Sequence, residues 1–396
     1  MNSAMLSCRI CEATHPLAPL SSCSACSGPL DVRYVWDGSR DLLDESRALW
    51  NYEALLPHRD AAMPSRTPLV PAPRISAALD IDVHLKLETA NPTHSFKDRM
   101  AASAVAAAQR FGIETLFCAS TGNLGAAVAA RCAAVGLEGV ILSPADVDEP
   151  ELPSATYGAS VFTVRGTFED CRRLERELEH LFPWGFLEGN LHPFAVEGIK
   201  TIAYEIAEQL GWETPDAVVS PVASGTLFAK LAQGFVELAD LGLVSDAPPR
   251  LYGAQPGGCP PVAAAWADER PPSRVTPNTV ARSLAVGDPS YGELAIGAAR
   301  MSGGSITTVP EELIGSSTEL LAENSGVLAD PAGGVAFGAL VELVRSGAIA
   351  PGERVVLVVT GSGIRPSSHD SQYPARQIEA DADDFLAALG VGRDYS

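Results

Sequence analysis

The chain has 396 residues, of which 46% are hydrophobic and 19% charged, and its 28 basic and 49 acidic side chains give a formal net charge of −21. This composition excludes a mainly disordered or collagen-like chain and predicts two or three globular domains. Because the negative field repels phosphate backbones and anionic lipids, we expect neither nucleic acid nor a membrane as a partner. The first residues lack the basic and apolar segments of a secretory signal, so we expect a cytoplasmic protein.

Four of the eight cysteines lie near the N-terminus as two closely spaced pairs. Two residues separate Cys8 from Cys11, and the pair Cys23 and Cys26 repeats that spacing after eleven intervening residues. Each pair can offer two thiolates to one tetrahedral ion, so residues 1–35 are predicted to form a zinc-ribbon-like segment around a structural Zn²⁺. The alternative is four thiols without a metal.

Beyond residue 35, short β-type runs alternate with helical patterns, which predicts an α/β fold of parallel sheets covered by helices. The predicted strands are Val83–Leu87, Thr115–Ala119, Gly139–Leu142, Ser160–Val164, Asp216–Val219, Leu251–Ala254 and Arg354–Val359. The predicted helices are Asp98–Phe111, Gly125–Val135, Phe168–Leu181, Leu227–Leu241 and Gly334–Arg345, with Gly112 and Gly136 ending the first two. A long loop is predicted over Pro256–Pro277 and a short helix over Asp381–Leu389.

Lys97 lies between a Pro-containing turn and an Ala-rich helical pattern, in a chain whose other lysines are few. Burial at such a place lowers the pKa of a lysine and leaves a neutral amine that can attack an aldehyde. Lys97 is therefore a candidate Schiff-base lysine. Taken alone, this segment is also compatible with a surface lysine near a helix N-terminus.

Three loops of small residues follow predicted strands and can approach a ligand closely. The run Ser120-Thr121-Gly122-Asn123 opens a helix, so its hydroxyl and N–H groups can face a carboxylate or a phenolic oxygen. The run Ala223-Ser224-Gly225-Thr226 also opens a helix and is a candidate phosphate loop. Thr360 ends the last strand and precedes glycines that let a ring approach the backbone. Together with Lys97, these loops match the needs of pyridoxal phosphate.

These segments together resemble the fold-type II pyridoxal-phosphate enzymes and, within them, the threonine synthase family. The resemblance runs from about residue 8 to about residue 366. The motifs that carry it are Asn91–Arg99, Ser120–Asn123, Glu197–Thr201 and Thr360–Gly363.

The resemblance implies a tryptophan synthase β-like, two-domain sandwich of parallel sheets. Residues 36–97 and 196–366 would form a large cofactor-binding domain, and residues 98–195 a small mobile domain. Residues 367–396 would form a C-terminal tail with a short helix. A homodimer is the expected assembly.

The resemblance also implies roles for single residues. Lys97 would hold the cofactor and transfer protons, and Phe96 would lie beside the cofactor ring. Asn123 would bind the phenolic oxygen of the ring, and Thr360 would face its nitrogen. The expected phosphate contacts are Ala223, Ser224, Gly225 and Thr226. The expected substrate contacts are Ser120, Thr121, Gly122 and Lys200.

For this family the resemblance implies a lyase of amino-acid biosynthesis that eliminates phosphate from O-phospho-L-homoserine and adds water to give L-threonine. Ala195 stands where many members carry an Arg that grips the substrate phosphate, and Lys200 and Arg165 are candidates to replace it. The alternative is a β-replacement enzyme that acts on O-phosphoserine or a related amino acid, either a cysteate-synthase-like enzyme or one of specialised amino-acid biosynthesis. A non-enzymatic homologue whose ribbon binds a partner is the third reading, although such a copy would be expected to lose Lys97, Asn123 or Thr360 first.

Overall fold

The computed structural model describes residues 3–35, 52, 55–58, 66–145, 152–244, 247–364 and 375–390. Its strands are β1 (Ser3–Cys8), β2 (Thr14–His15), β3 (Leu30–Val35), β4 (Leu69–Pro71), β5 (Asp82–Leu87), β6 (Thr115–Ala119), β7 (Glu138–Pro144), β8 (Ser160–Arg165), β9 (Gly185–Phe186), β10 (Ala217–Pro221), β11 (Arg250–Pro256), β12 (Ser305–Val309), β13 (Arg354–Val359) and β14 (Arg376–Glu379). Its α-helices are α1 (Pro73–Leu79), α2 (Lys97–Phe111), α3 (Asn123–Val135), α4 (Leu152–Thr156), α5 (Phe168–Leu178), α6 (His192–Ala195), α7 (Thr201–Gln209), α8 (Thr226–Asp240), α9 (Pro261–Ala267), α10 (Gly292–Ser302), α11 (Glu311–Ser325), α12 (Pro331–Arg345) and α13 (Ala382–Leu389).

In this part of the chain the strands form three sheets. An antiparallel sheet at the N-terminus has the order β2-β1-β3. A six-stranded sheet has the order β12-β11-β10-β13-β5-β4 and is parallel except for β4. A five-stranded parallel sheet has the order β14-β8-β7-β6-β9. The predicted α/β class, with parallel sheets, is confirmed.

The central strands carry continuous apolar runs because helices cover both faces of the parallel sheets. Strand β13 has the sequence Arg-Val-Val-Leu-Val-Val, and all of its residues after Arg354 are buried. Strand β10 pairs with β13 in parallel, so the loops that follow the two strands leave the same edge of the sheet. Ligands of open α/β sheets bind at that carboxyl edge.

The seven predicted strands and five predicted helices all have observed counterparts, with ends displaced by a few residues. Helices α2 and α3 end at Gly112 and Gly136, whose φ angles of 70° and 77° place them in the left-handed conformation favoured by glycine. No helix in the described ranges combines the length and apolarity needed to span a membrane.

Two local predictions need correction. The loop predicted over Pro256–Pro277 contains α9, because Pro261 occupies the first turn of that helix, where its fixed φ is favourable and no N–H is needed. The tail helix is present, but β14 precedes it and extends the five-stranded sheet beside β8. Only Ile378 of this strand is buried, so its sequence has little apolar signal.

A buried ionic network joins the end of β5 to α2 and α7. Arg99 donates to Glu88 Oε2 at 2.7 Å and to Glu205 Oε1 at 2.6 Å. Lys86 donates to Glu205 Oε2 at 2.7 Å, and Thr67 accepts a further bond from Arg99. All of these side chains are at least 94% buried. The network fixes the helix that begins at Lys97.

We expect Arg99→Ala to lower the free energy of unfolding by about 3–5 kcal/mol, because it leaves the Glu88 carboxylate buried without its cation. Urea denaturation measures this loss. Arg173, which pairs with Glu177 on the exposed face of α5, offers a matched control with an expected loss below about 1 kcal/mol. Equal losses in the two variants would contradict a special contribution of the network.

Candidate active site

Lys97 is held beside the end of β13 by backbone hydrogen bonds. Phe96 N–H donates to Thr360 O at 3.0 Å, and Ser95 forms an antiparallel bridge with Gly361. One residue beyond this bridge, Ser362 N–H donates to His94 O at 3.0 Å. The structure therefore brings Lys97 and Thr360, which are far apart in the sequence, to the same edge of the six-stranded sheet.

The environment of Lys97 differs from that of the other three lysines. Lys86, Lys200 and Lys230 each make an ion pair with a buried glutamate, at 2.7, 2.8 and 2.5 Å. Lys97 has no such ion pair with any described residue. Its Nζ lies 4.8 Å from the Phe96 ring centroid and 3.6 Å from Met100 Sδ. Burial lowers the pKa of Lys97, and Glu188 and Cys118 only partly oppose the shift. Such a lysine holds a reactive neutral amine more readily than an exposed one.

The run Ser120-Thr121-Gly122-Asn123 connects β6 to α3. Ser120 Oγ accepts hydrogen bonds from Gly122 N–H at 3.0 Å and Gly125 N–H at 2.8 Å. Gly122, the residue before α3, has a φ of 143° and no side chain, so the bond from Gly125 N–H to Ser120 Oγ caps the first turn of the helix. A Cβ at Gly361 would lie 3.5 Å from Asn123 Nδ2, so the Asn123 amide lies against the loop that follows Thr360. Lys97, Thr360 and Asn123 thus belong to one site.

The run Ala223-Ser224-Gly225-Thr226 connects β10 to α8. Gly225 has a φ of 91°, and a Cβ there would lie 2.5 Å from Tyr291 O, so this position requires glycine. Ser224 Oγ and Thr226 Oγ1 lie 2.8 Å apart, and α8 begins without a side-chain cap. The start of α8 therefore keeps the positive end of its dipole available to an anion. Because β10 neighbours β13, this anion site lies next to Thr360 at the sheet edge.

The structure does not place Lys200 or Arg165 where a substrate would reach them. Lys200 has no exposed surface, and its Nζ contacts Glu197 at 2.8 Å and Glu237 at 3.0 Å. Arg165 is exposed and pairs with Glu379 of β14. The sequence motif that contains Lys200 gave no sign that two glutamates neutralise this side chain.

Ala195 is fully buried at the end of α6. The preceding carbonyl of Phe194 accepts a hydrogen bond from Ser103 Oγ at 2.8 Å, which fixes this turn against α2. A methyl side chain enclosed in the core makes no polar contact with a substrate. The position that carries arginine in many members of the resembled family is therefore structural in this chain.

Sequence reasoning missed two acidic residues that support the site. Glu175 of α5 accepts Ala119 N–H at 2.9 Å, immediately before the Ser120 loop, and Glu188 N–H at 3.1 Å. Burial and the neighbouring Glu188 carboxylate raise the pKa of Glu175 to about 8. Arg172 pairs with Glu188 at 3.2 Å. The only signal for Glu175 was its place among apolar residues on an otherwise charged helix.

The four N-terminal cysteines form one cluster, in which all four Sγ atoms lie within 4.8 Å of one another. Hydrogen bonds from the Ala25 N–H and from His15 lower the pKa of Cys23 to about 6, which favours its thiolate. A Cβ at Gly28 would lie 2.9 Å from Cys8 Sγ and 3.1 Å from Cys26 Sγ, so glycine leaves room for the sulfur atoms. This arrangement is suited to a tetrahedral metal ion.

The raised pKa of Glu175 predicts a pH-dependent stability. The pKa of Glu175 is about 4.5 in the unfolded chain and about 8 in the folded protein. At pH values between these two, the folded state binds one more proton than the unfolded state. The stabilising effect of this side chain, measured as the difference in free energy of unfolding between the wild type and Glu175→Gln, should therefore fall as pH rises from 5 to 8. The largest slope is about 1.4 kcal/mol per pH unit. Glu177→Gln, on the exposed face of α5, is the control, and a flat difference for Glu175→Gln would contradict the assignment.

Comparisons with known proteins place these features in a family. A model of pyridoxal-phosphate-dependent enzymes matches residues 62–361. The threonine synthase of Methanocaldococcus jannaschii is 32% identical over 90% of this chain and 92% of its own length. The threonine synthase of Methanosarcina acetivorans is 34% identical over 86% of both chains.

Solved structures share the fold at lower identity. Maize serine racemase superposes with a TM-score of 0.65 at 20% identity and covers 76% of this chain and 89% of its own. Threonine deaminase isoform 2 from Solanum lycopersicum gives a TM-score of 0.66 at 20% identity over 76% and 81% of the two chains. From the family model and the close length match with the threonine synthases, the chain belongs to the threonine synthase family of pyridoxal-phosphate-dependent enzymes.

Proposed function

We propose that this enzyme is a lyase that converts O-phospho-L-homoserine and water into L-threonine and inorganic phosphate. The observation that carries the proposal is the meeting of Lys97 with Asn123 and Thr360 at the carboxyl edge of the six-stranded sheet, within a chain whose curated relatives are threonine synthases over almost their full length. The non-enzymatic reading has no comparable support.

The residues at the site match the chemical groups of pyridoxal phosphate. Lys97 offers an amine with a lowered pKa for the aldehyde, and α8 offers an uncapped N-terminus for the phosphate. A Cβ at Gly225 would lie 2.5 Å from Tyr291 O, and one at Gly361 would lie 2.7 Å from Asp330 Oδ2, so only glycine lets these two loops pack as they do at the sheet edge. These features support a fit between this chain and the cofactor.

When bound, the cofactor supplies an electron sink for charge that develops at the substrate carbons. Lys97 would hold the cofactor and then accept and return protons, since its lowered pKa leaves an amine able to act as a base. Asn123 would bind the phenolic oxygen, and Phe96 would pack beside the ring. The neutral hydroxyl of Thr360 would leave the ring nitrogen largely unprotonated, which suits elimination and replacement better than transamination.

The loop Ala223-Ser224-Gly225-Thr226 would hold the cofactor phosphate, leaving the start of α3 for the substrate. There Ser120, Thr121 and Gly122 would bind the substrate carboxylate through hydroxyl and backbone N–H groups. Lys200 is not carried into this site, because it is buried in its ion pairs with Glu197 and Glu237.

Closure of the smaller domain over the bound substrate would exclude bulk water from the reacting groups. We assign residues 98–195 to this mobile domain, residues 36–97 and 196–366 to the large domain, and residues 367–396 to the tail. Support comes from the separate five-stranded sheet, whose strands β6 to β9 lie within the mobile segment. A cytoplasmic location and a homodimer complete the proposal.

The buried Ala195 favours keeping one alternative function. Without an arginine at this position, the enzyme can be a β-replacement enzyme that uses O-phosphoserine or a related small anionic amino acid. The same lysine and cofactor contacts would serve either substrate, because both reactions begin with removal of the α-proton.

A substrate comparison tests these functions. The holoenzyme should release inorganic phosphate from O-phospho-L-homoserine with formation of threonine, and it should do so far faster than from O-phospho-L-serine. Lys97→Ala should abolish turnover and the borohydride-reducible visible absorption, because no other described lysine is free of an ion pair. Faster phosphate release from O-phospho-L-serine would favour the alternative, and normal activity of Lys97→Ala would contradict both enzymes.

We also propose that the four-cysteine cluster holds one structural zinc ion per chain. The expected ligands are the clustered thiolates of Cys8, Cys11, Cys23 and Cys26. The ion is expected to be structural, because a closed site of four thiolates leaves no open position for catalysis.

Protein purified without a chelator should contain about one zinc ion per chain, the number expected of one closed site. Cys11→Ser should lower the metal content and destabilise the N-terminal segment, since metal binding contributes folding energy. Cys259→Ser, which alters a buried single cysteine, is the control for metal content. Metal-free wild-type protein with an intact segment would contradict the proposal.

A further inference from the structure

We propose that Arg9, Asp31 and Tyr291 couple the four-cysteine segment to the loop Ala223–Thr226, so that the N-terminal segment sets how tightly this loop binds the cofactor phosphate. The inference rests on the proposed role of the loop. It gives the N-terminal segment a positioning function in the cofactor site, beyond stabilising its own fold.

The first half of the connection starts at a cysteine. Arg9 directly follows Cys8, and its guanidinium donates to the two carboxylate oxygens of Asp31 at 2.6 and 2.8 Å. The same guanidinium lies 3.9 Å from the centroid of the Tyr291 ring. Tyr291 OH donates to Asp31 Oδ1 at 3.2 Å. Arg9 and Asp31 of the N-terminal segment therefore hold the side chain of Tyr291, which directly precedes α10.

The second half uses the backbone of the same tyrosine. Tyr291 N–H donates to Ser224 O at 2.9 Å, and Tyr291 O lies 2.5 Å from the place that a Gly225 Cβ would take. Tyr291 O also accepts the Ala295 N–H, which starts α10. The N-terminal segment thus contacts the Tyr291 ring, and the Tyr291 peptide groups contact the turn before α8. A shift of the ring would move the peptide groups that shape this turn.

The coupling acts through position rather than charge. Arg9 is paired with both oxygens of Asp31, so the pair adds little net charge near the loop. Tyr291 is 2% exposed, which leaves it little freedom to move while these contacts persist. Phosphate binding at a helix N-terminus depends on aligned N–H groups, and here the alignment depends on the left-handed Gly225 beneath Tyr291.

The chain contains a matched control for Arg9. Arg250 forms an ion pair with Glu353 and lies 5.8 Å from the Tyr252 ring centroid. It stands at the amino end of β11, whereas the proposed phosphate loop follows the carboxyl end of the neighbouring β10. Arg250→Ala thus removes a similar arginine–carboxylate–tyrosine contact without touching the loop.

The test compares cofactors with and without a phosphate. Full-length protein freed of cofactor is titrated with pyridoxal phosphate and with pyridoxal, and binding is followed by visible absorption. Arg9→Ala should raise the Kd for pyridoxal phosphate by about tenfold or more, a loss equivalent to about 1.4 kcal/mol. It should leave the Kd for pyridoxal unchanged. Tyr291→Phe should give a smaller loss of the same kind, because the ring stays and only the bond to Asp31 is removed.

The outcomes separate this proposal from the proposed function. Unchanged binding of pyridoxal phosphate in Arg9→Ala and Tyr291→Phe would overturn the coupling, and so would equal losses for the two cofactors or an equal loss in Arg250→Ala. If Arg9→Ala does not fold, Arg9→Lys and Tyr291→Phe decide the same question. The proposed function stands in those cases as long as the wild type binds pyridoxal phosphate much more tightly than pyridoxal. Equal binding of the two cofactors by the wild type would instead refute the phosphate loop itself.

Discussion

The site depends on the backbone pairing between the segment before Lys97 and the loop after β13. The bonds Phe96 N–H to Thr360 O and Ser362 N–H to His94 O leave little freedom for either segment to shift alone. They join the start of α2 to the carboxyl end of a central strand whose residues after Arg354 are all buried. A lysine placed by such pairing keeps its orientation relative to Thr360 without relying on its own flexible side chain. The other loops then need only reach this fixed edge.

Charge distribution explains why one lysine can be reactive in an acidic protein. The chain has 49 acidic side chains, and glutamates neutralise Lys86, Lys200 and Lys230 in the interior. A glutamate at hydrogen-bond distance opposes the effect of burial: Glu197 raises the pKa of Lys230, and Glu205 limits the lowering of the pKa of Lys86. Lys97 is partly enclosed by apolar groups and lacks such a partner among the described residues, so burial dominates its pKa. The lowered pKa of Lys97 therefore arises from burial without an ion pair.

Sequence patterns that extend over several residues predicted the main strands and helices. Strands β6 and β13 match the predicted ranges because buried parallel strands carry apolar runs that few other structures share. The three loops of small residues also lie where the sequence predicts them, after β6, β10 and β13. Contacts between distant segments could not be predicted. Glu175 and Tyr291 act on loops 50 or more residues away, and neither residue type marks this role in a single sequence.

Short motifs supply the groups proposed to bind the cofactor, whereas substrate choice depends on contacts that the motifs do not contain. The groups assigned to the cofactor lie on loops that the sheets fix, and all of them are supplied by short motifs. The distal phosphate of the proposed substrate has no partner in Ala195 of α6, which is enclosed in the core and offers no polar atom. Near Lys97, the charged groups are instead Glu188 and its partner Arg172 on α5. A change of substrate therefore needs only a few helix residues to differ, while the reaction type stays with the lysine and the strand ends. Membership of the family therefore follows from the motifs, whereas the preferred substrate depends on side chains outside them.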